Sequence, residues 1–226
     1  MDFTAGEVIV INKALKWTSF DVVNRIRALI KRHATGKRIK VGHAGTLDPL
    51  ASGLMIVCTG KKTKKIESFM GMAKEYYAGI KLGATTPSFD LETEINAQYD
   101  YRHITEKQVK DCLVGFVGKQ SQIPPVYSAK KIKGKPAYDY ARKGETVEIK
   151  AKEIEIYEIE LVHFDLPLIE IRILCSKGTY IRSLARDIGQ KLKSGAYLAA
   201  LKRTLIGEYK LEESISIEKF EELIKS

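Results

Sequence analysis

The residues with the clearest capacity for chemistry lie in one short segment, His43–Gly53, which reads HAGTLDPLASG. It carries one imidazole, His43, and one carboxylate, Asp48, between glycines that let the backbone turn or approach another chain closely. Pro49 biases Asp48 toward an extended conformation, and the apolar run Leu54–Cys58 that follows has the length of a buried strand. This arrangement suits a reaction centre. The alternative is a plain turn, which Asp-Pro pairs commonly initiate, with His43 as a structural hydrogen bonder.

A second polar group, Arg182, comes shortly after the alternating strand Ile169–Cys175. Apolar residues recur at helical spacing from Ile181 onward, so Arg182 lies in the first turn of a predicted helix. An arginine at such a place is usually exposed. Because clefts in sheet proteins tend to lie at strand ends, Arg182 can also reach Asp48, keep its carboxylate ionised and fix its orientation.

Tyr76 lies in the segment Lys74–Gly83, whose alternation predicts a strand. Tyr76, Ala78, Ile80 and Leu82 share one face, so the tyrosine points to the apolar side. It is therefore either a core tyrosine or an aromatic plate on which a displaced base stacks.

Lysines are concentrated in two places, residues 61–65 and the insertion 124–150. The first cluster follows the apolar strand directly. The second combines prolines, lysines and tyrosines, a pattern typical of an extended, mobile loop that contacts looped or single-stranded nucleic acid. Either cluster can be an ordinary solvated surface, but near a reaction centre it would attract phosphates. The lysines predicted to contact RNA are Lys61, Lys64, Lys130, Lys131, Lys133 and Lys135.

The composition favours a polyanionic partner. The 226 residues include 38 Lys and Arg against 28 Asp and Glu, a formal charge of +10, which raises the expectation of nucleic acid binding. No apolar run approaches the roughly 18 residues that span a bilayer, and the N-terminus lacks a secretory pattern. Cys58, Cys112 and Cys175 match neither a disulfide framework nor a zinc site, so we expect core cysteines in a reducing, cytoplasmic compartment.

Local patterns predict helices and strands in alternation, hence a mixed α+β fold. Val8–Ile11 reads as a strand that ends in a polar turn at Asn12 and Lys13, and Thr18–Asp21 reads as a capping box that opens a helix. Apolar residues then recur at helical spacing and predict the buried stripe of this helix, which is Val22, Val23, Ile26, Leu29 and Ile30. Ile154–Phe164 alternates as a long strand with a phase slip near Glu158, which predicts a β-bulge or a break in the strand.

The His43–Gly53 string resembles the catalytic motif of the TruB family of tRNA pseudouridine synthases. Further strings are similar to other blocks of that family, so that the resemblance covers nearly the whole chain. In the second block the family has an acidic residue where this chain has Pro87. The further strings are Lys74–Gly83 with the downstream Asp90, Pro124–Lys131, Lys177–Arg182 and Gly195–Arg203.

The resemblance implies a pseudouridine synthase fold, with a mixed, mainly antiparallel central sheet flanked by helices. It implies one catalytic domain over residues 1–226, without the C-terminal PUA-like RNA-binding domain of many members. It makes Asp48 the catalytic carboxylate and Arg182 its partner. From the residues alone, by contrast, Leu201 reads as plain core packing. The implied substrate contacts are His43, which holds the RNA in its flipped-out form, Tyr76, which stacks on the base, and Tyr180 and Leu201, which wall the pocket.

The implied reaction isomerises the T-loop uridine at position 55 of tRNA to pseudouridine. It involves neither redox change nor net hydrolysis, so we expect no cofactor and no metal. We expect the T-arm stem-loop of tRNA as partner, no membrane, no obligate protein partner and a monomer. Carboxylate addition to the ring and proton abstraction from the sugar both fit these residues.

Two other functions remain open at this point. A nucleic-acid glycosidase also uses a carboxylate, but needs a positioned water and usually a second acid. A non-catalytic RNA chaperone needs only the lysine-rich surface and the tyrosines.

Overall fold

The computed structural model describes residues 2–128, 131–132, 134–142, 145 and 147–225, with the backbone alone at 131–132, 136, 138 and 141–142. The chain divides into two compact units, which are Met1–Tyr76 with Leu201–Ser226 (unit 1) and Tyr77–Ala200 (unit 2). The strands are β1 Val8–Lys13, β2 Val41–His43, β3 Ala51–Thr59, β4 Lys74–Leu82, β5 Ala84–Thr85, β6 Ala97–Gln98, β7 Gly118–Gln122, β8 Lys131–Ile132, β9 Lys135–Pro136, β10 Lys152–Asp165, β11 Leu168–Cys175, β12 Ala196–Ile206 and β13 Tyr209–Lys210. The helices are α1 Ser19–Ile30, α2 Ile66–Gly71, α3 Glu106–Val114, α4 Ala137–Arg142, α5 Ile181–Lys191 and α6 Ile217–Lys225.

Unit 1 is built around β3. One edge of β3 pairs antiparallel with β1, from Val8 opposite Cys58 to Lys13 opposite Gly53. Beside the start of β3 runs β12, parallel to it, and β2 pairs antiparallel with its end. Eight of the nine residues of β3 are buried, which explains the nearly continuous apolar run in its sequence.

Helix α1 begins where the sequence predicts, at a capping box. The Thr18 hydroxyl accepts from the amide of Asp21, and the Asp21 carboxylate accepts from the amide of Thr18 at 2.9 Å. The apolar stripe of α1 packs in the core of unit 1 together with Phe220 of α6. The predicted stripe residues, all buried, are Val22, Val23, Ile26, Leu29 and Ile30.

In unit 2 the strand order is β12-β4-β11-β10-β7, where β12 belongs to this unit up to Ala200 and β4 from Tyr77 onward. The long hairpin of β10 and β11 shifts register between Ile156 and Glu158, which confirms the predicted irregularity, and shifts again between Leu161 and His163. The mixed sheet with its flanking helices confirms the α+β class. None of the helices in the described part of the chain is long and apolar enough to cross a bilayer.

Two expectations about local structure are wrong. Strand β1 continues to Lys13, which is fully buried because alternation puts it on the same face as Ile9 and Ile11. Asn12 and Lys13 are therefore not a polar turn. The insertion 124–150 is not extended throughout, since its described residues include the β8–β9 hairpin and α4. The three cysteines are buried free thiols, as predicted.

Candidate active site

Asp48 lies in the loop between β2 and β3, residues 44–50, which we call the Asp48 loop. The N-terminal end of α1 holds this loop on both sides of Asp48. The Ser19 hydroxyl donates to the carbonyl of Leu47 at 3.0 Å and accepts from its amide at 2.8 Å, and the Lys16 amide donates to the carbonyl of Pro49 at 2.8 Å. The capping box that fixes the start of α1 thus also fixes the backbone that carries Asp48.

Arg203 of β12 contacts the Asp48 loop from a third direction. Its side chain is 1% exposed, and its guanidinium donates to the carbonyls of Leu54, at 2.7 Å, and Gly45, at 3.2 Å. Gly53 allows the close approach, since a Cβ there would collide with the backbone of Arg203. One buried cation therefore connects the strand after the loop to the beginning of the loop.

A second buried cation, Lys13, lies close enough to interact with Asp48. Its ammonium donates to the carbonyls of Ala14, at 3.0 Å, and Trp17, at 2.6 Å. Burial lowers the pKa of Lys13 to about 8; the charge of Asp48 opposes this shift and that of Arg203 adds to it. Because the attraction is mutual, Lys13 favours the ionised form of Asp48.

His43 ends β2, where it lies opposite Val57 of β3 and directly precedes the Asp48 loop. Burial is the main cause that lowers the pKa of His43, with a further contribution from Arg203 and an opposing one from the backbone of Gly45. We therefore expect His43 to be neutral at physiological pH, when its imidazole has both a donor and an acceptor nitrogen.

Tyr76 and Leu201 also lie near this group within unit 1. The contacts Glu75–Thr204 and Gly79–Ala200 show that β4 and β12 run antiparallel, in a register that puts Tyr76 opposite Arg203. Opposite residues of antiparallel strands share a face, as do Leu201 and Arg203 two positions apart. Leu201 pairs with Ala51, just after the Asp48 loop. Unit 1 thus brings His43, Asp48, Tyr76 and Leu201 to one region around Arg203.

Arg182, in unit 2, is buried rather than exposed. Only 4% of the residue is accessible, its Nη1 atom lies 3.5 Å from the carboxylate of Asp90, and it donates to the carbonyl of Ser88 at 3.4 Å. The ion pair orients the guanidinium within unit 2. The expected pairing of Arg182 with Asp48 stays a prediction.

Tyr180 immediately precedes α5, and a side-chain amide holds its backbone. Gln122, at the end of β7 and 3% exposed, accepts from the Tyr180 amide at 2.8 Å and donates to the Tyr180 carbonyl at 3.1 Å. The Ser183 hydroxyl donates to the carbonyl of Ile123 at 2.8 Å. These bonds fix the first turn of α5, and with it Tyr180 and Arg182, against the end of β7.

The predicted RNA-contacting lysines are only partly described. Lys61 and Lys64 are exposed on a 3₁₀ helix, Gly60–Lys65, that follows β3. The nine residues of β3 extend over roughly 27 Å, so this helix begins at the end of β3 remote from the Asp48 loop. Of the lysines in the insertion, Lys135 is exposed and Lys131 is described by its backbone alone. Lys130 and Lys133 lie outside the described residues.

Four residues that hold these groups are missing from the sequence-based site. Lys13 had a signal, the strand alternation that puts it on the buried face of β1. Arg203 and Asp90 belong to sequence motifs that resemble those of the TruB family, but neither motif predicts which groups its charged residue contacts. No local sequence pattern indicates the role of Gln122, because its partner Tyr180 is 58 positions away.

We expect Arg203→Gln to lower the free energy of unfolding by roughly 2 kcal/mol or more, since it leaves the carbonyls of Leu54 and Gly45 without a charged donor. It should also raise the pKa of His43, because a nearby positive charge is removed. Urea unfolding and an NMR titration of His43 measure the two effects. Arg27→Gln is the matched control, as Arg27 also donates to a backbone carbonyl of unit 1 but is half-buried. An unchanged pKa of His43 would contradict this account of Arg203.

Comparisons with known sequences match one family along most of the chain. Residues 31–181 match the description "TruB family pseudouridylate synthase (N terminal domain)", and residues 182–226 match "tRNA pseudouridylate synthase B C-terminal domain". A protein of Phocaeicola vulgatus named tRNA pseudouridine synthase B is 60% identical over 98% of this chain and 94% of its own length. One of the same name from Flavobacterium johnsoniae is 47% identical over 99% of this chain and 98% of its own length.

Solved structures show the same fold. The crystal structure of a Cbf5-Nop10-Gar1 complex contains a chain with a TM-score of 0.72 and 26% identity, over 97% of this chain and 54% of that one. A chain of the archaeal box H/ACA sRNP Nop10-Cbf5 complex has a TM-score of 0.71 at 24% identity, a likeness of fold alone. This chain spans about half of each of those two. With family matches that run from residue 31 to residue 226, this chain belongs to the TruB family of pseudouridylate synthases.

Proposed function

We propose that this chain converts the T-loop uridine at position 55 of tRNA to pseudouridine, with Asp48 as the catalytic carboxylate. Membership of the TruB family supports the reaction. The observation that carries the assignment is the setting of Asp48, on a loop contacted by Lys16, Ser19 and Arg203, with Lys13 close enough to interact with it.

The reaction is an isomerisation whose atoms balance within the nucleotide. The bond between N1 of uracil and C1′ of ribose breaks, and a bond from C5 to C1′ forms. The hydrogen on C5 is lost and N1 gains one. No electron acceptor or added water is consumed, so the site must supply a reactive carboxylate and a slot in which the detached base rotates.

One carboxylate suffices for the first step. Asp48 either adds to the uridine as a nucleophile or removes a proton from the sugar as a base. Both routes need the ionised form, which the ammonium of Lys13 favours. Both also need a fixed direction of approach, and the hydrogen bonds to the Asp48 loop support such a fixed position.

The other groups bind and orient the substrate in this proposal. Tyr76 stacks on the everted base, Leu201 packs on it, and His43 holds the RNA in its flipped-out form. Tyr180 walls the pocket. Arg182 orients Asp48, a role for which a buried and already oriented guanidinium is suited.

The partner in this proposal is the T-arm stem-loop of tRNA, bound by a monomer. The lysines contact its phosphates, and the exposed Lys61, Lys64 and Lys135 are the described members of that set. The formal charge of +10 supports association with a polyanion. We place the reaction in the cytoplasm, where the chain would meet tRNA.

The test is to incubate the purified chain with a T-arm stem-loop and to analyse the nucleosides after complete digestion. We expect pseudouridine in an amount equal to the uridine lost, and none from a stem-loop that has cytidine at the target position. An abasic site with free uracil would instead identify a glycosidase. Tight binding without any change of nucleosides would identify a non-catalytic RNA-binding protein. Either of these results would overturn the proposal.

A further inference from the structure

One segment of unit 1, residues 22–66, has a strongly one-sided distribution of charge. Between Asp21 and Glu67 the sequence contains eleven Lys and Arg residues, and Asp48 is the single acidic residue. Six of these cations are exposed in the two segments next to the paired ends of β2 and β3, residues 37–40 before β2 and 61–65 after β3. We call this set the far basic face: Lys37, Arg38, Lys40, Lys61, Lys64 and Lys65.

The fold joins the two segments into one surface. Val41, the first residue of β2, lies opposite Thr59, the last residue of β3. The Gly60 amide donates to the carbonyl of Lys40 at 2.9 Å, so the segment that enters β2 touches the segment that leaves β3. Both segments therefore lie at the end of β3 remote from the Asp48 loop, roughly 27 Å along the strand.

The cations of this face are available to a ligand. Within the described residues none of the six forms an ion pair, whereas Lys107, Lys110 and Lys219 elsewhere each bind a carboxylate within 3 Å. The acidic residues of the N-terminal turn are engaged with backbone: the Asp2 carboxylate accepts from the amides of Thr4 and Ala5, and that of Glu7 from the amide of Asp2.

The composition of the face indicates which part of an RNA it fits. Residues 31–40 and 60–65 contain no Phe, Tyr or Trp, the side chains on which unpaired bases stack in proteins that bind single strands. Clustered cations without aromatic side chains suit the regularly spaced phosphates of a double helix, which proteins recognise by shape and backbone contacts.

We propose that the far basic face binds the phosphate backbone of double-helical RNA, away from the target uridine, and that Lys37, Arg38 and Lys40 extend the contact made by Lys61 and Lys64. The inference rests on the proposed function, because it takes RNA as the polyanion. Through this face the chain grips the stem of a substrate while the Asp48 loop acts on its loop. The face also gives affinity for stems that contain no target.

The test compares two variants of equal charge on an RNA duplex that has no loop and no target uridine. Lys37→Gln/Arg38→Gln/Lys40→Gln removes three cations of the face. Lys107→Gln/Lys110→Gln/Lys219→Gln removes three cations that are already ion-paired elsewhere. Binding is measured at several salt concentrations, and thermal unfolding checks that both variants fold.

We expect the first variant to bind the duplex at least about tenfold more weakly at low salt. Its slope of log affinity against log salt should be shallower by about 2 to 3, or nearly one per lost phosphate contact. The control should stay close to the parent chain. Equal affinities and slopes for the two variants would overturn the inference. It would also fail if single-stranded RNA of the same length competed as well as the duplex.

The outcome is separable from that of the proposed function. Asp48→Asn should bind the duplex as the parent chain does, since Asp48 lies at the other end of β3. If the parent chain makes no pseudouridine but the first variant loses duplex binding, the proposed function is refuted and the far basic face is still supported as a duplex-binding surface. If the parent chain makes pseudouridine but both variants bind the duplex alike, the proposed function is supported and the inference about the far basic face is refuted.

Discussion

Asp48→Asn should lower the rate of pseudouridine formation on a T-arm stem-loop by at least about 10³-fold, because an amide can neither attack as a nucleophile nor accept the proton. The side chains are nearly the same size, and the hydrogen bonds that hold the loop come from its backbone. The Kd for the stem-loop should therefore change by no more than about threefold. Single-turnover kinetics and a binding titration separate the two effects.

The matched control for this prediction is Asp111→Asn, the same chemical change at an exposed carboxylate of α3 that pairs with Lys107. It should convert the RNA at the parent rate. If the Asp48→Asn protein, shown by mass spectrometry to be free of deamidation, still turned over at the parent rate, Asp48 would have no part in the chemistry.

Asp90→Ala should lower the free energy of unfolding by about 3 kcal/mol, because it removes a carboxylate 3.5 Å from a guanidinium that is almost inaccessible to water. Urea denaturation measures the loss. Asp165→Ala, at an exposed carboxylate of β10, should stay within about 0.5 kcal/mol of the parent chain.

A double-mutant cycle isolates the pair itself. Arg182→Met should also destabilise the chain, and the double variant should be less destabilised than the sum of the two single variants. Additive effects would mean that the two charges do not stabilise each other. If Arg182 orients Asp48 as proposed, Arg182→Met should in addition lower the single-turnover rate more than it weakens RNA binding.

Features specified by neighbours in sequence are the ones that the sequence predicts well. The capping box at Thr18 and the buried stripe of α1 depend on residues three or four positions apart, and both are confirmed. The irregularity near Glu158 follows from an alternation that changes phase within one strand. Lys13 shows the limit of such patterns. A lysine at the end of an apolar strand reads as a turn unless one knows that the carbonyls of Ala14 and Trp17 will receive its ammonium.

Contacts between distant positions are the part that local patterns leave out. Arg203 donates to the carbonyls of Leu54, 149 positions earlier in the chain, and of Gly45, 158 positions earlier. No rule of helix or strand spacing relates residues so far apart. The ion pair of Arg182 with Asp90 likewise joins a helix to a loop about 90 positions earlier. The resemblance to a family identifies the sequence motifs in which these residues lie. Their partners become visible only in three dimensions.

The contact between Arg203 and the Asp48 loop has a consequence for how the protein is made. At about 5–20 residues per second, a ribosome needs roughly 7 to 30 s to pass from Leu54 to Arg203. Throughout that interval the first residues of β3 lack their parallel neighbour, and the Asp48 loop lacks one of its three supports. The nascent chain thus has an open sheet edge for most of its synthesis, and the order of translation makes the Asp48 loop one of the last parts to acquire its final geometry.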